Sequence, residues 1–262
     1  MLTERVDFQG PHGKLAAKLD LPDGIPRAYG VFAHCFTCSK DVLAANRISQ
    51  GLAAHGIGML RFDFAGLGAS AGDFGDTNFS SNVEDLVAAA AFLRDKFAAP
   101  RLLVGHSMGG TAVLAAAHRI PESKAVVTIA SPSDPHYVVN ALLSEHLDTI
   151  AQLGEARVKL AGRDFNIRQQ FVEDATQHRL AERIAQLDRA LLVMHAPGDD
   201  TVEMANALRI FELARYPKSF VSLDGVDHLV TGREDAAQVA AMIAAWSGRY
   251  IDAGGLTPGQ SR

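Results

Sequence analysis

Residues 102–117 read LLVGHSMGGTAVLAAA, and this stretch decides the fold. An apolar strand runs into Gly105-His106-Ser107-Met108-Gly109, a G-x-S-x-G, and an Ala-rich helix follows at once. A chain that turns from strand to helix this sharply forces its central residue into a strained conformation. Side chains two positions to either side would collide there. Gly105 and Gly109 remove them, and Gly110 lets the helix pack closely. The Ser107 hydroxyl is lifted above the sheet edge, at a helix N-terminus that favours a developing oxyanion. Ser107 is therefore the candidate nucleophile.

A serine hydroxyl is a weak nucleophile until a histidine takes its proton, and that histidine needs an acid to fix its tautomer. In a strand–turn–helix architecture of this kind the chain order is Ser, then Asp or Glu, then His. The run LLVMHAPGDDTVEMANA supplies Asp199 and Asp200 just beyond a strand. Asp199 is the better acid, in the pattern H-x-x-x-D-x-x-V from His195 to Val202; Asp200 is expected to cap the next helix. Asp134, after the preceding strand, is an alternative acid. SFVSLDGVDHLV then supplies His228, after the last strand and its Asp224-Gly225 turn. His34, His106 and His195 end strands and are read as hydrogen-bonded structural residues. His12, His55, His118, His136, His146 and His178 lie in loops or on helices without catalytic context.

HCFTCSKD (34–41) ends another strand and enters a helix. Such a loop supplies the second backbone donor of an oxyanion hole, here Phe36 N–H, beside Met108 N–H after the nucleophile. Phe36 can also wall a pocket, because a backbone donor places no demand on its side chain. The same loop holds both cysteines, Cys35 and Cys38. Three readings stay open for them: structural thiols, an oxidation-sensitive pair whose closure would distort the loop, or part of a metal site. No His/Cys/Asp cluster has zinc spacing, so no metal and no cofactor is expected.

Short apolar runs alternate with helical patterns along the 262 residues, the signature of a mainly parallel sheet covered by helices. Strands are expected over 4–9, 14–21, 28–34, 58–64, 101–106, 125–131, 190–196 and 218–224, the first two as an antiparallel edge hairpin. Helices are expected over 42–56, 83–97, 108–120, 202–215 and 233–251, the second opened by a capping box at Ser81–Glu84. The polar span 133–188 breaks this rhythm. It reads as a lid inserted between two strands, with a hairpin turning near Ala161-Gly162-Arg163, a helix over 141–152, and Phe165 or Phe171 as pocket candidates. Residues 1–132 and 189–251 then form the core, and 252–262 a flexible tail.

The net charge of −5, with no Lys/Arg block, argues against nucleic acid. No apolar run approaches a membrane span, and the N-terminus lacks signal-peptide regions; a cytoplasmic protein without membrane contact is expected. The apolar helical faces leave a homodimer open.

With these motifs in place the chain resembles the α/β-hydrolase superfamily over nearly its whole length. HCFT resembles its oxyanion motif, with Cys35 where Gly is usual. RFDFAGLGASAGDF (61–74) resembles its D-x-x-G-x-G-x-S loop through Asp63, Gly66, Gly68 and Ser70. GHSMGG, HAPGDDTV and GVDHLV resemble the elbow, acid and base motifs. FAHCFTCSKD, TNFSSNVEDL and PKSFVSLDGVDHL are similar to the hydrolase half of bifunctional hydrolase/OsmC-type proteins, whose OsmC domain is absent from this chain. The chain is also similar to feruloyl/cinnamoyl esterases. The resemblance implies an α/β-hydrolase fold, with an eight-stranded, mainly parallel sheet. It implies a serine carboxylesterase acting on small acyl or aryl esters through Ser107, His228 and Asp199. Thioesterase, peptidase and acyltransferase chemistry use the same parts, and a non-catalytic binding or redox-adaptor module is the contrasting reading.

Overall fold

The computed structural model describes residues 1–160 and 162–252. The chain opens with the hairpin β1 (Leu2–Gly10) and β2 (Gly13–Leu21), paired antiparallel. It continues through β3 (Ala28–Ala33), α1 (Leu43–Ala54), β4 (Ile57–Phe62), α2 (Phe79–Lys96), β5 (Leu102–His106), α3 (Met108–Ala116) and β6 (Ala125–Ile129). An insertion follows: α4 (His136–Leu142), α5 (Leu147–Leu153), the hairpin β7 (Glu155–Leu160) and β8 (Arg163–Arg168), α6 (Gln169–Gln177) and α7 (Leu180–Ala185). The core resumes with β9 (Ala190–His195), α8 (Met204–Leu213), β10 (Lys218–Ser222) and α9 (Arg233–Ile251).

Eight strands form one sheet in the order β1-β2-β4-β3-β5-β6-β9-β10. Within it, β1–β2 and β2–β4 pair antiparallel, and β4, β3, β5, β6, β9 and β10 run parallel. This is the α/β-hydrolase fold. Every residue of β4, β5, β6 and β9 is buried, as strands covered on both faces must be. On one face Phe32 and Met59 meet Ile48, Leu52 and Ile243 of α1 and α9. On the other, Leu103 and Val126 meet Leu86, Val113 and the insertion's Phe171. The insertion therefore completes the second half of the core.

Three local expectations need correction. Helix α2 begins four residues before 83, because the capping box joins Asn78 and Ser81: each side chain bonds the other's backbone N–H, at 2.8 and 2.9 Å. Residues 141–152 are not one helix. Leu143 N–H closes α4 on Val139 O, and a 3₁₀ turn over Ser144–His146 redirects the chain before α5. Phe165 and Phe171 face inward, against Phe74 at 4.9 Å and Phe36 at 5.3 Å, and serve packing. Ala161, at the expected hairpin turn, and residues 253–262 of the expected tail lie outside the described residues. Among the described residues no helix is long and apolar enough to cross a membrane.

Candidate active site

The parallel strands end on one side of the sheet, and the turns after β3, β5, β9 and β10 converge there. Ser107 follows β5 with φ 54° and ψ −128°, a strained conformation for a residue carrying a side chain. Its N–H donates to Ile129 O at 2.8 Å, which ties the elbow to β6. A Cβ on Gly109 would overlap the carbonyl oxygens of Ala33 and His34, so only glycine lets the elbow pass under the β3 loop.

His228 lies in the loop after β10, and Asp199 in the turn after β9. His228 Nε2 is 3.1 Å from Ser107 Oγ, and its Nδ1 is 2.8 Å from Asp199 Oδ2. All three side chains are buried. Asp199 accepts two further bonds at Oδ1, from Thr201 and Val202 N–H, each 2.9 Å. Burial pushes its carboxyl up, but the bonds from His228 and from these two amides outweigh that and hold it below the usual carboxylate value. An ionised Asp199 fixes the proton of neutral His228 on Nδ1. Nε2 is then left with a lone pair aimed at the serine hydroxyl.

The competing carboxylates stand elsewhere. Asp134 Oδ1 accepts from His136 N–H at 2.8 Å, at the start of α4. Asp200 does not cap α8: Glu203 holds the N-cap position, and Asp200 accepts from Thr201 Oγ1 at 3.1 Å. The strand-end histidines are hydrogen-bonded, His34 through Nδ1 to Cys35 O at 2.8 Å and His195 through Nε2 to Val202 O at 2.8 Å.

The loop after β3 brings Phe36 over the N-terminus of α3. Among the described residues neither Phe36 N–H nor Met108 N–H donates to another protein group. Cys35 and Cys38 form a disulfide, with their Cα atoms 5.4 Å apart. This corrects the free-thiol and metal readings, since each sulfur is already bonded to the other. The bridge spans Phe36 and Thr37, and Cys38 N–H closes the same turn on Cys35 O at 3.2 Å. An oxidised pair is thus compatible with a formed loop, contrary to the expected distortion.

Sequence reasoning missed what anchors this loop. Buried Asp63 accepts from Lys40 N–H and Lys40 Nζ, both at 2.6 Å, and from Ala69 N–H at 2.8 Å. The D-x-x-G-x-G-x-S pattern was the available signal. Its acid clamps the end of the Cys35–Lys40 segment to the core.

A cavity of about 620 Å³ opens over Ser107 and His228. Its walls are mainly apolar, with Phe36, Val42, Pro132, Val138, Leu142 and Val202 prominent. Residues of α4 and the β7–β8 hairpin, within the span expected to form a lid, line one side; Ala141 and Leu142 belong to the expected 141–152 pocket segment. The one carboxylate among the described lining residues, Asp41, is held by Arg61 at 2.9 Å and Lys18 at 2.7 Å.

Residues 26–235 match the Hydrolase_4 family, described as serine aminopeptidase, S33. The esterase domain of a Rhodothermus marinus protein is 45% identical, with TM-score 0.78 over 95% of this chain and 99% of that one. Est1E from Butyrivibrio proteoclasticus, solved with ferulic acid bound, has TM-score 0.81 at 20% identity over 92% of this chain and 98% of its own, a likeness of fold. A mouse palmitoyl-protein thioesterase, ABHD10, is 25% identical over 186 residues; the match covers 69% of this chain and 61% of the relative's length.

Proposed function

The chain belongs to the serine aminopeptidase S33 family of α/β-hydrolases, and from that premise we propose that it is a serine carboxylesterase for small acyl or aryl esters. The observation that carries this reading is the continuous path Ser107 Oγ–His228 Nε2/Nδ1–Asp199 Oδ2, at 3.1 and 2.8 Å, on the floor of an apolar cavity. The similar Rhodothermus esterase domain supports it.

In this reading Ser107 Oγ attacks the ester carbonyl carbon as its proton passes to His228 Nε2. The carbonyl oxygen gains the negative charge, and Phe36 and Met108 N–H donate to it at the N-terminus of α3. Asp199 stabilises the imidazolium. His228 returns the proton to the leaving alcohol, and the acyl group stays on Ser107. Water, deprotonated by His228, then releases the acid and restores the hydroxyl. These steps need no cofactor, and the partner is a small-molecule ester. Residues 133–188 act as the lid that shapes the acyl site. An aminopeptidase needs a carboxylate for the substrate ammonium; the one carboxylate among the described lining residues, Asp41, already carries the cationic Arg61 and Lys18 on Oδ1, which offsets its charge.

A second reading, thioester hydrolysis, is favoured by the likeness to the mouse palmitoyl-protein thioesterase and by the apolar cavity. One assay tests both. Turnover of p-nitrophenyl esters from acetate to decanoate, of methyl ferulate and of the matching acyl thioesters is compared for wild type and Ser107→Ala. Ester turnover lost in Ser107→Ala supports the proposal, and a clear preference for thioesters selects the second reading. No turnover, with no labelling of Ser107 by a fluorophosphonate, would indicate a non-catalytic module.

A further inference from the structure

His106 precedes the candidate nucleophile and is buried, at 1% exposure. Its Nε2 lies 2.7 Å from the backbone carbonyl oxygen of His228, a residue 122 positions away in sequence. A carbonyl can only accept, so Nε2 carries the proton and donates. Nδ1 then presents a lone pair, and it is buried with no hydrogen-bond partner among the described residues. Leaving a buried acceptor unsatisfied is costly. A phenylalanine would fill similar space without that cost, so packing alone does not explain a histidine here.

We propose that His106 is a positioning residue: its Nε2–H holds the His228 main chain so that the imidazole bridges Ser107 and Asp199. The elbow and the base loop belong to different strand ends, and the His106 side chain ties them directly. The two rings also lie against each other, 5.3 Å apart centre to centre and tilted by 44°. The acid turn is held in the same way. His195, at the end of β9, places Nε2 2.8 Å from Val202 O, and its Nδ1 is likewise buried and unpartnered. The two histidines end β5 and β9, the strands on either side of β6, and each clips one loop of the site onto the sheet. Burial, first, and the nearby His228 keep His106 neutral, pushed down to about 4, so the donor persists through the neutral range.

The proposal rests on the esterase reading, and the experiment separates the two. His106→Phe keeps the ring and removes the donor, whereas His106→Gln keeps an N–H donor at the ε position. Kinetics on the best ester are paired with the low-field proton signal of His228 Nδ1–H bonded to Asp199. His106→Phe is expected to lower kcat by about 10- to 100-fold with KM little changed, since small misplacements of a catalytic group cost that much. It should also lose the low-field signal. His106→Gln should recover most of both. Wild-type kcat and signal in His106→Phe would overturn the proposal. So would equal losses in both variants with equal falls in melting temperature, which would make His106 a packing residue. If wild type turns over no ester, the function reading fails, and the signal alone decides: present in wild type and His106→Gln but absent in His106→Phe supports positioning; any other pattern overturns it.

Discussion

Asp199 meets His228 chiefly through one oxygen and its own turn through the other: Oδ2 faces Nδ1 at 2.8 Å, while Oδ1, 3.1 Å from the same nitrogen, takes the Thr201 and Val202 amides at 2.9 Å. The acid is therefore oriented before it orients the base. In Asp199→Asn the two amides retain the carbonyl oxygen, which turns the NH₂ toward His228 Nδ1. The imidazole must then carry its proton on Nε2, facing Ser107, and cannot accept from it. A loss of about 10⁴ in kcat with little change in KM is expected from steady-state kinetics. The depressed carboxyl also stabilises the fold above its unfolded pKa and loses that contribution in acid. Asp199→Asn should accordingly show a shallower fall in melting temperature below about pH 4.

Gly109→Ala tests the close crossing of the elbow and the oxyanion loop. The added methyl would overlap Ala33 and His34 carbonyl oxygens, both backbone, and must push the Phe36 loop away. Overpacking of this kind costs about 1–3 kcal/mol, visible in denaturant melts. Activity should fall further than stability accounts for, because Phe36 N–H moves away from Met108 N–H.

The disulfide closes a very short loop, so its entropic effect is small, about 2 kcal/mol by chain-closure reasoning. Cys35→Ser/Cys38→Ser should lower the melting temperature and should reduce kcat, since the bridge spans Phe36. Reductant should reproduce both effects in wild type and change neither in the double variant. An unchanged kcat would mean that the Lys40–Asp63 clamp alone holds the loop.

Asp85 gives the stability a pH dependence of opposite sign. It is fully buried, accepts Ala65 N–H at 2.9 Å through Oδ2, and leaves Oδ1 without a partner. Burial, with a smaller push from Glu84, raises its carboxyl to about 7. Between about pH 4 and about pH 7 the folded chain binds this proton and the unfolded chain does not, so stability falls as pH rises through that window. Asp85→Asn, neutral throughout, should remove that slope and melt higher than wild type at pH 8.

Chain-length dependence reports the cavity. Each methylene buried is worth about 0.8 kcal/mol, or roughly fourfold in kcat/KM, until the space is filled. Ala141 of α4 lines the cavity. Ala141→Trp should leave acetate turnover close to wild type and cut octanoate and decanoate most, as measured over the p-nitrophenyl series.

The sequence by itself determined the elbow, the candidate residues Ser107, Asp199 and His228 in that order, and the alternation that makes a mainly parallel sheet. These are local signals. A strained turn needs glycines at set offsets, and a doubly covered strand needs an unbroken apolar run. Even so, β4 hides a charge: Arg61 is buried in it, paired with Asp20 at 2.7 Å, a partner on the adjacent β2 that no pattern within β4 reveals. Tertiary structure alone decided the rest. It set Asp199 against His228, joined Cys35 to Cys38, clamped Lys40 on Asp63, set His106 against the His228 carbonyl, and broke residues 141–152 into two helices. Each of these is a contact between groups brought together by the packing of separate elements. Its free energy depends on distance and burial, which a linear pattern of residue types does not contain.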